Sequence, residues 1–384
     1  MSTRTPIRST SVGKWAKSRR STRLIGLVCF AALLSTAIWS TAALGTTRGQ
    51  VTGGSPFGMT KKPFAGRTLH VQYWPTERQW IESLIIKPFE KETGAKVVAS
   101  FGATGETIAK VAAQKSRPQL DVILLDDRGA VQLGQQGLLD PLSKYRLANL
   151  KFIPSKFILG KRSAVGFAIY DNILLYNTKI FSSPPKSWNV LFDPKYKGKV
   201  ALPPIEWGNG IMLLQTIARL SGTTLTKNPD KVWAKVAQLK PQVKLFLSDF
   251  AQVAQLFESK DLALTVLQPP VFKKYMDAGA PIAPDWNLPY WGVGALSMAA
   301  VKKHPASDEL VNAFMNKVLS NSVLKPLGTK YLYGVTASNV RPPASAARWA
   351  SFGNARLKKT FTIDFSAFVK FGADWATRWH SIFG

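Results

Sequence analysis

One cysteine, Cys29, and three histidines, His70, His304 and His380, are all that 384 residues offer to thiolate or imidazole chemistry. An intramolecular disulfide and a multi-thiolate zinc or iron-sulfur site are therefore excluded, and three histidines leave little for a histidine metal cage. No metal site and no cofactor is expected. Acidic residues are also scarce, 22 against 51 Lys and Arg. Long apolar runs are missing from the body of the chain, so it is not a polytopic membrane protein, whose spans each need about 20 apolar residues. No Gly-x-Ser-x-Gly elbow, Walker loop, His-Glu-x-x-His helix or Cys-His pair occurs, which argues against an enzyme.

What is present is a chain with 46% hydrophobic residues, long enough for two or three units and a real core. The net charge of +29 directs attention to nucleic acid or anionic membrane. Its distribution points elsewhere. Seven basic residues and no acid lie in residues 1–45, leaving 44 against 22 in the rest, spread over most segments with no basic helix or stacking module. A solvated basic surface, with no nucleic-acid partner, is the reading.

The basic stretch ending at Arg23, the apolar run Leu24–Leu34 and the small residues up to Gly45 form the three parts of a secretory signal. Cleavage is expected between about 43 and 50, with retention as an anchor the alternative. Cleavage would remove Cys29, so the mature chain needs no oxidative folding. Residues 46–66, rich in Gly and Pro, read as a flexible leader.

From Thr68 the order is strand, helix, strand, helix, strand, helix. Strands are expected over Thr68–Tyr73, Lys96–Phe101 and Leu120–Leu125, with Gly94 and Gly137 closing helices and Thr104 capping one. Pro88 is expected to kink the last turn of the first helix. A second α/β unit follows Gly166, with helices over Ile211–Leu220, Trp233–Leu239 and Phe250–Phe257 and a strand over Leu262–Leu267. Near Trp291 the chain re-enters the first unit, and Ser307 caps a helix to about Leu319. Such alternation predicts mainly parallel sheets with flanking helices and a ligand outside the strands' carboxyl ends.

Several segments in the right order resemble the type II periplasmic solute-binding proteins of ABC importers, the group containing the spermidine/putrescine and ferric-iron binders. They are Ile86–Val97, Leu120–Leu125, Gly137–Leu142, Leu175–Lys179, Lys186-Ser-Trp188 with Leu191–Val200, and Asp308–Leu319. The resemblance covers about 67 to 384. It implies two α/β lobes hinged around a ligand cleft: lobe 1 from 67–166 and 292–340, lobe 2 from 167–291, and a C-terminal helical segment over 341–384. It also implies a monomer outside the cytoplasm, periplasmic or secreted, that delivers a small solute to an ABC permease and its ATPase subunits.

Candidate ligand residues follow strand ends. Trp74 stands where polyamine-binding relatives place an aromatic over the ligand, or it plugs the core. Thr104 and Gly105, in the glycine-rich Gly102-Ala-Thr-Gly105, could meet a ligand at a helix start or simply form a turn. Asp126 and Asp127 follow the third strand, and Asp126 is equally a helix cap. Tyr170 lies near the first crossover. From the second lobe come Glu206, Asn209, Asp249 (which also reads as a cap) and Gln268. Tyr290-Trp291 resembles the aromatic pair before the return strand, but Gly292 and Val293 stand where polyamine binders often carry an acid. The ferric binders' adjacent Tyr-Tyr pair is not found. A small cation or amine-containing solute is expected, with an anion as the alternative, a sensor component without transport as a second alternative, and a secreted hydrolase as a third.

Overall fold

The computed structural model describes residues 62–341, 343–347, 349 and 360–384. The signal, its cleavage region and the leader through residue 61 lie outside the described residues. Strands β1 (Thr68–Tyr73), β2 (Lys96–Phe101) and β3 (Val122–Asp126) are separated by helices, as their apolar periodicity predicts. Then come β4 (Ile158–Leu159), the 14-residue β5 (Ala164–Asn177), β6 (Val200–Leu202), β7 (Val243–Phe246) and β8 (Leu264–Leu267). Strands β9 (Ile282–Pro284), β10 (Gly292–Ala300) and β11 (Gly334–Val335) complete the set. Their order in the sheet is β2-β1-β3-β10-β5-β8-β6-β7, with β4, β9 and β11 attached to β5.

The outer pairs β1–β2, β1–β3, β6–β7 and β6–β8 are parallel, as expected of strand–helix alternation. The centre is not. Strand β10 runs antiparallel to both β3 and β5, and β5 antiparallel to β8, so the sheet is mixed. Strand β5 pairs with β10 as far as Asn172 and with β8 from Ile173 onward. Strand β5 therefore changes partners in its middle, beyond Gly166. All residues of β3, β5 and β10 are buried, and a strand covered on both faces reads as a continuous apolar run.

The first helix shows how one proline shapes a lobe. Helix α1 (Arg78–Ile81) widens into a π turn over Glu82–Ile86 before α2 (Lys87–Thr93) resumes. Pro88 has no N–H to return to Leu84, and a widened turn just before it absorbs that loss in place of the kink expected in the last turn. Gly94 ends α2 with φ of 77°, donating to the Glu90 carbonyl. Trp80, Ile81, Ile85 and Phe89 face the sheet, and Phe89 meets Phe314 edge to face at 5.2 Å.

Helices α3 (Thr104–Ala113) and α4 (Asp127–Gln135) start at the carboxyl ends of β2 and β3, and α5 (Gly208–Leu220) follows the carboxyl end of β6. Helix α6 (Pro229–Ala237) begins earlier than the periodicity from Trp233 predicts, because Asn228 caps it and Pro229 starts its first turn. Helices α7 (Phe250–Glu258) and α8 (Pro269–Asp277) cover the other face of the second lobe, while α9 (Asp308–Val318) and α10 (Asn321–Thr329) complete the first. Ser307 caps α9 as expected. The C-terminal segment holds a short helix, Ala344–Ala347, and a long one, Phe365–Phe383. No helix among the described residues is long and apolar enough to cross a membrane.

Candidate functional site

Around the carboxyl ends of β1 and β3 the first-lobe candidates come together. Trp74, directly after β1, donates its indole N–H to the Thr104 hydroxyl at 3.2 Å, and that hydroxyl also faces the Asp126 N–H at 3.4 Å. Thr104 is thus turned inward at the first position of α3. Its expected role as cap passes to Ala103, whose N–H bonds Glu106 Oε2 at 2.9 Å. Gly105 is exposed, and a Cβ there would meet nothing within 4 Å. Asp126 caps α4 by accepting the Gly129 N–H at 2.9 Å, and its second oxygen lies 3.6 Å from Arg128 Nη2.

Asp127 is buried and held by three donors: the Tyr170 hydroxyl at 3.1 Å and the N–H groups of Arg128 and Ala295, both at 3.0 Å. Burial, followed by the neighbouring Asp126 charge, nevertheless pushes its carboxyl up to about 7. Burial also raises the Tyr170 phenol, so it stays a donor. The Tyr170 ring fits only because two neighbours lack side chains. A Cβ on Gly294 would lie 2.1 Å from Tyr170 Cζ, and one on Gly208 2.2 Å from its hydroxyl oxygen. Tyr170 therefore joins the start of α4 to the start of α5.

On the second-lobe side Asn209 donates to Asn172 Oδ1 at 3.0 Å and to Gln268 Oε1 at 3.1 Å, linking α5, β5 and the end of β8. Asn172 Nδ2 has no partner among the described residues.

Other candidates lie apart. Glu206 is exposed and pairs with His380 of the C-terminal helix at 2.7 Å. Asp249 is an exposed cap of α7, accepting from Ala251 and Gln252 at 2.8 and 3.2 Å. Tyr290 is 49% exposed in the left-handed region, with φ of 62° and its carbonyl bonded to Thr216. Trp291 is a core residue, 1% exposed, with its ring 6.2 Å from that of Trp286.

Arg128 is the residue that sequence reasoning missed. Its side chain is 13% exposed and its Nε is buried with no partner among the described residues. The Phe368 ring of the C-terminal helix covers its guanidinium at 5.8 Å. Its place one step beyond Asp126-Asp127, at the start of a helix after a strand, was the available signal.

Among the described residues one cluster has metal-ligand chemistry. Asp140, His304 and Asp308 offer atoms within 4.8 Å of one another. Lys144 Nζ already bonds both carboxylates, at 2.8 Å to Asp140 and 2.7 Å to Asp308, so an ammonium takes the place a cation would fill. The cluster lies beside Asp121, just before β3, at the opposite strand ends from Arg128.

Comparison with known proteins agrees with this architecture. An ABC transporter structure from Clostridium perfringens ATCC 13124 superposes with a TM-score of 0.70 at 20% identity, covering 82% of this chain and all of that one. The periplasmic binding protein AfuA from Actinobacillus pleuropneumoniae, with fructose 6-phosphate bound, gives 0.66 at 19% identity, covering 83% of this chain and 98% of its own. AgtB from Agrobacterium tumefaciens R10, in complex with agropinic acid, gives 0.66 at 17% identity, covering 83% and 99%. Residues 85–353 match the model of the bacterial extracellular solute-binding proteins, and the chain belongs to that family.

Proposed function

We propose that this chain is the extracytoplasmic capture component of an ABC importer, binding a small solute with an acidic group between its lobes and handing it to a membrane permease with its ATPase subunits. The charge of the solute rests on one observation. The four candidate carboxylates are each engaged, Asp126 and Asp249 as helix caps, Asp127 by three donors and Glu206 by His380, whereas Arg128 Nε has no partner among the described residues. A polyamine's ammonium groups would each need a carboxylate, because an unpaired buried charge is costly. A guanidinium instead presents N–H donors to a carboxylate or phosphate, and the amides of Asn172, Asn209 and Gln268 suit a polar neutral remainder. The aromatic face of Trp74 supplies apolar contact. The net positive body favours encounter with anions.

Native mass spectrometry of protein purified without denaturation, followed by thermal shift, tests this reading. The probes are inorganic phosphate, fructose 6-phosphate, putrescine and spermidine. A bound acidic solute at 100 times its Kd should stabilise the protein by about 2.7 kcal/mol, and Arg128→Met should abolish the effect. Stabilisation by putrescine or spermidine that survives Arg128→Met would return the site to a cationic solute.

Export completes the proposal. The exported form should be a monomer whose intact mass places its amino terminus between about 43 and 50. A full-length species embedded in membrane would make residues 24–34 an anchor.

A further inference from the structure

The helix Phe365–Phe383 touches both lobes. Nineteen residues make a rod of roughly 28 Å, comparable to the diameter of a small domain. At its start Asp364 caps it by accepting the Ala367 N–H at 3.1 Å, and one turn later Phe368 lies over the Arg128 guanidinium of α4, in the first lobe, at 5.8 Å. Toward its far end the helix meets the second lobe. Trp379 and Phe383 pack on Phe246, at the end of β7, with ring centres 6.2 and 5.4 Å apart. Arg378 bonds Asp230 at 3.0 Å and covers the Trp233 ring at 5.2 Å, and His380 meets Glu206 at 2.7 Å. Arg128, Glu206 and Phe246 each lie at or just beyond a strand's carboxyl end, so the helix runs alongside the edge where the lobes face each other. Its buried face, with Trp375 and Trp379 at 4% and 1% exposure, follows the spacing of an amphipathic helix, so it is fixed along its length.

We propose that this helix is a strap that limits how far the lobes separate. Strand β5 and the segment that leads into β10 cross between the lobes and permit bending. A stiff rod seated on the second lobe and stacked on Arg128 of the first must slide or lose the Phe368 contact when they part. Phe368 is then the residue that sets the resting opening, and its stack with Arg128 is the joint that gives. The inference rests on the two-lobed reading of the fold and not on the charge of the solute.

Double electron–electron resonance without added solute tests it. Spin labels at Lys115→Cys and Lys227→Cys, both exposed and one in each lobe, report the separation in a Cys29→Ser chain. Phe368→Ala should move the distribution to longer and broader distances, and Val369→Ala, an exposed neighbour on the same helix, should not. Should Phe368→Ala fail to fold, the pair Arg378→Ser and His380→Gln loosens the far end and carries the same expectation. A distribution that superposes on the parent's in the folded variants overturns the strap. Solute binding is read separately by thermal shift, so failure here and failure of the transport reading are distinguishable.

Discussion

The Tyr170 hydroxyl donates to Asp127 across 3.1 Å, while its ring occupies the space that side chains on Gly208 and Gly294 would fill. One aromatic on the strand shared by both lobes thus fixes the approach of α4 and α5. Gly294→Ala should be costly, because the added methyl would overlap the ring and the buried ring has nowhere to go. Overpacking of this kind costs about 1–3 kcal/mol. Urea unfolding of Gly294→Ala, Tyr170→Leu and the double variant measures it. The double variant should be more stable than the sum of the single changes predicts, and strict additivity would show that ring and glycine are not coupled.

Asp127 predicts a pH dependence. Its unfolded value is near 3.9 and its folded value about 7, so the native state holds the proton more tightly. The stability this confers is fully present below about pH 4 and is lost as pH rises through about 7. Asp127→Asn cannot titrate. Denaturant unfolding of both proteins from pH 4 to 8 should show the parent's advantage largest at pH 4 and shrinking toward pH 8. A difference that stays constant with pH would mean that Asp127 is ionised throughout, its three donors outweighing burial.

Much of this was legible in the sequence because the signals are local. The strand Thr68–Tyr73 alternates, Gly94 closes a helix and Ser307 opens one, all where the structure has them. Direction was harder to read. Nothing within Gly292–Ala300 says that the returning strand lies antiparallel between β3 and β5, since that depends on how the chain arrives. The site was half legible for a similar reason. An aspartate between a strand and a helix serves equally as ligand or cap, and only the 2.9 Å bond to Gly129 shows Asp126 capping. Tyr170 stood out as a candidate by its place near the crossover, but its dependence on two distant glycines is tertiary. Arg128 was passed over because the two acids before it fitted the expected charge of the solute.

The far end of the C-terminal helix should carry real stability. Trp379 is 1% exposed and packs against both Phe246 and Phe383. Truncating a buried tryptophan costs about 3–5 kcal/mol through lost transfer energy and the cavity left behind. Trp379→Ala should therefore unfold at markedly lower denaturant than Val369→Ala on the exposed face. Equal midpoints for the two would mean that the helix is only loosely attached.

The acid limb of stability should belong to Asp140. Burial alone would raise its carboxyl, but hydrogen bonding with His304, Lys144 and Tyr145 and the nearby Lys144 charge hold it down at about 2. Its unfolded value is near 3.9, so here the native state holds the proton less tightly. The resulting stability is present above about pH 4 and disappears as pH falls through about 2, the reverse of Asp127. A shift of this size is worth about 2 kcal/mol, a sizeable part of what keeps a domain folded. Asp140→Asn should be less stable than the parent by a constant amount from pH 5 to 7, and the gap should narrow steadily below pH 4. Lys144→Met should lower the acid resistance in the same direction but by less, because His304 and Tyr145 remain. A gap between parent and Asp140→Asn that persists unchanged down to pH 2 would show that the carboxylate is not stabilised by these donors.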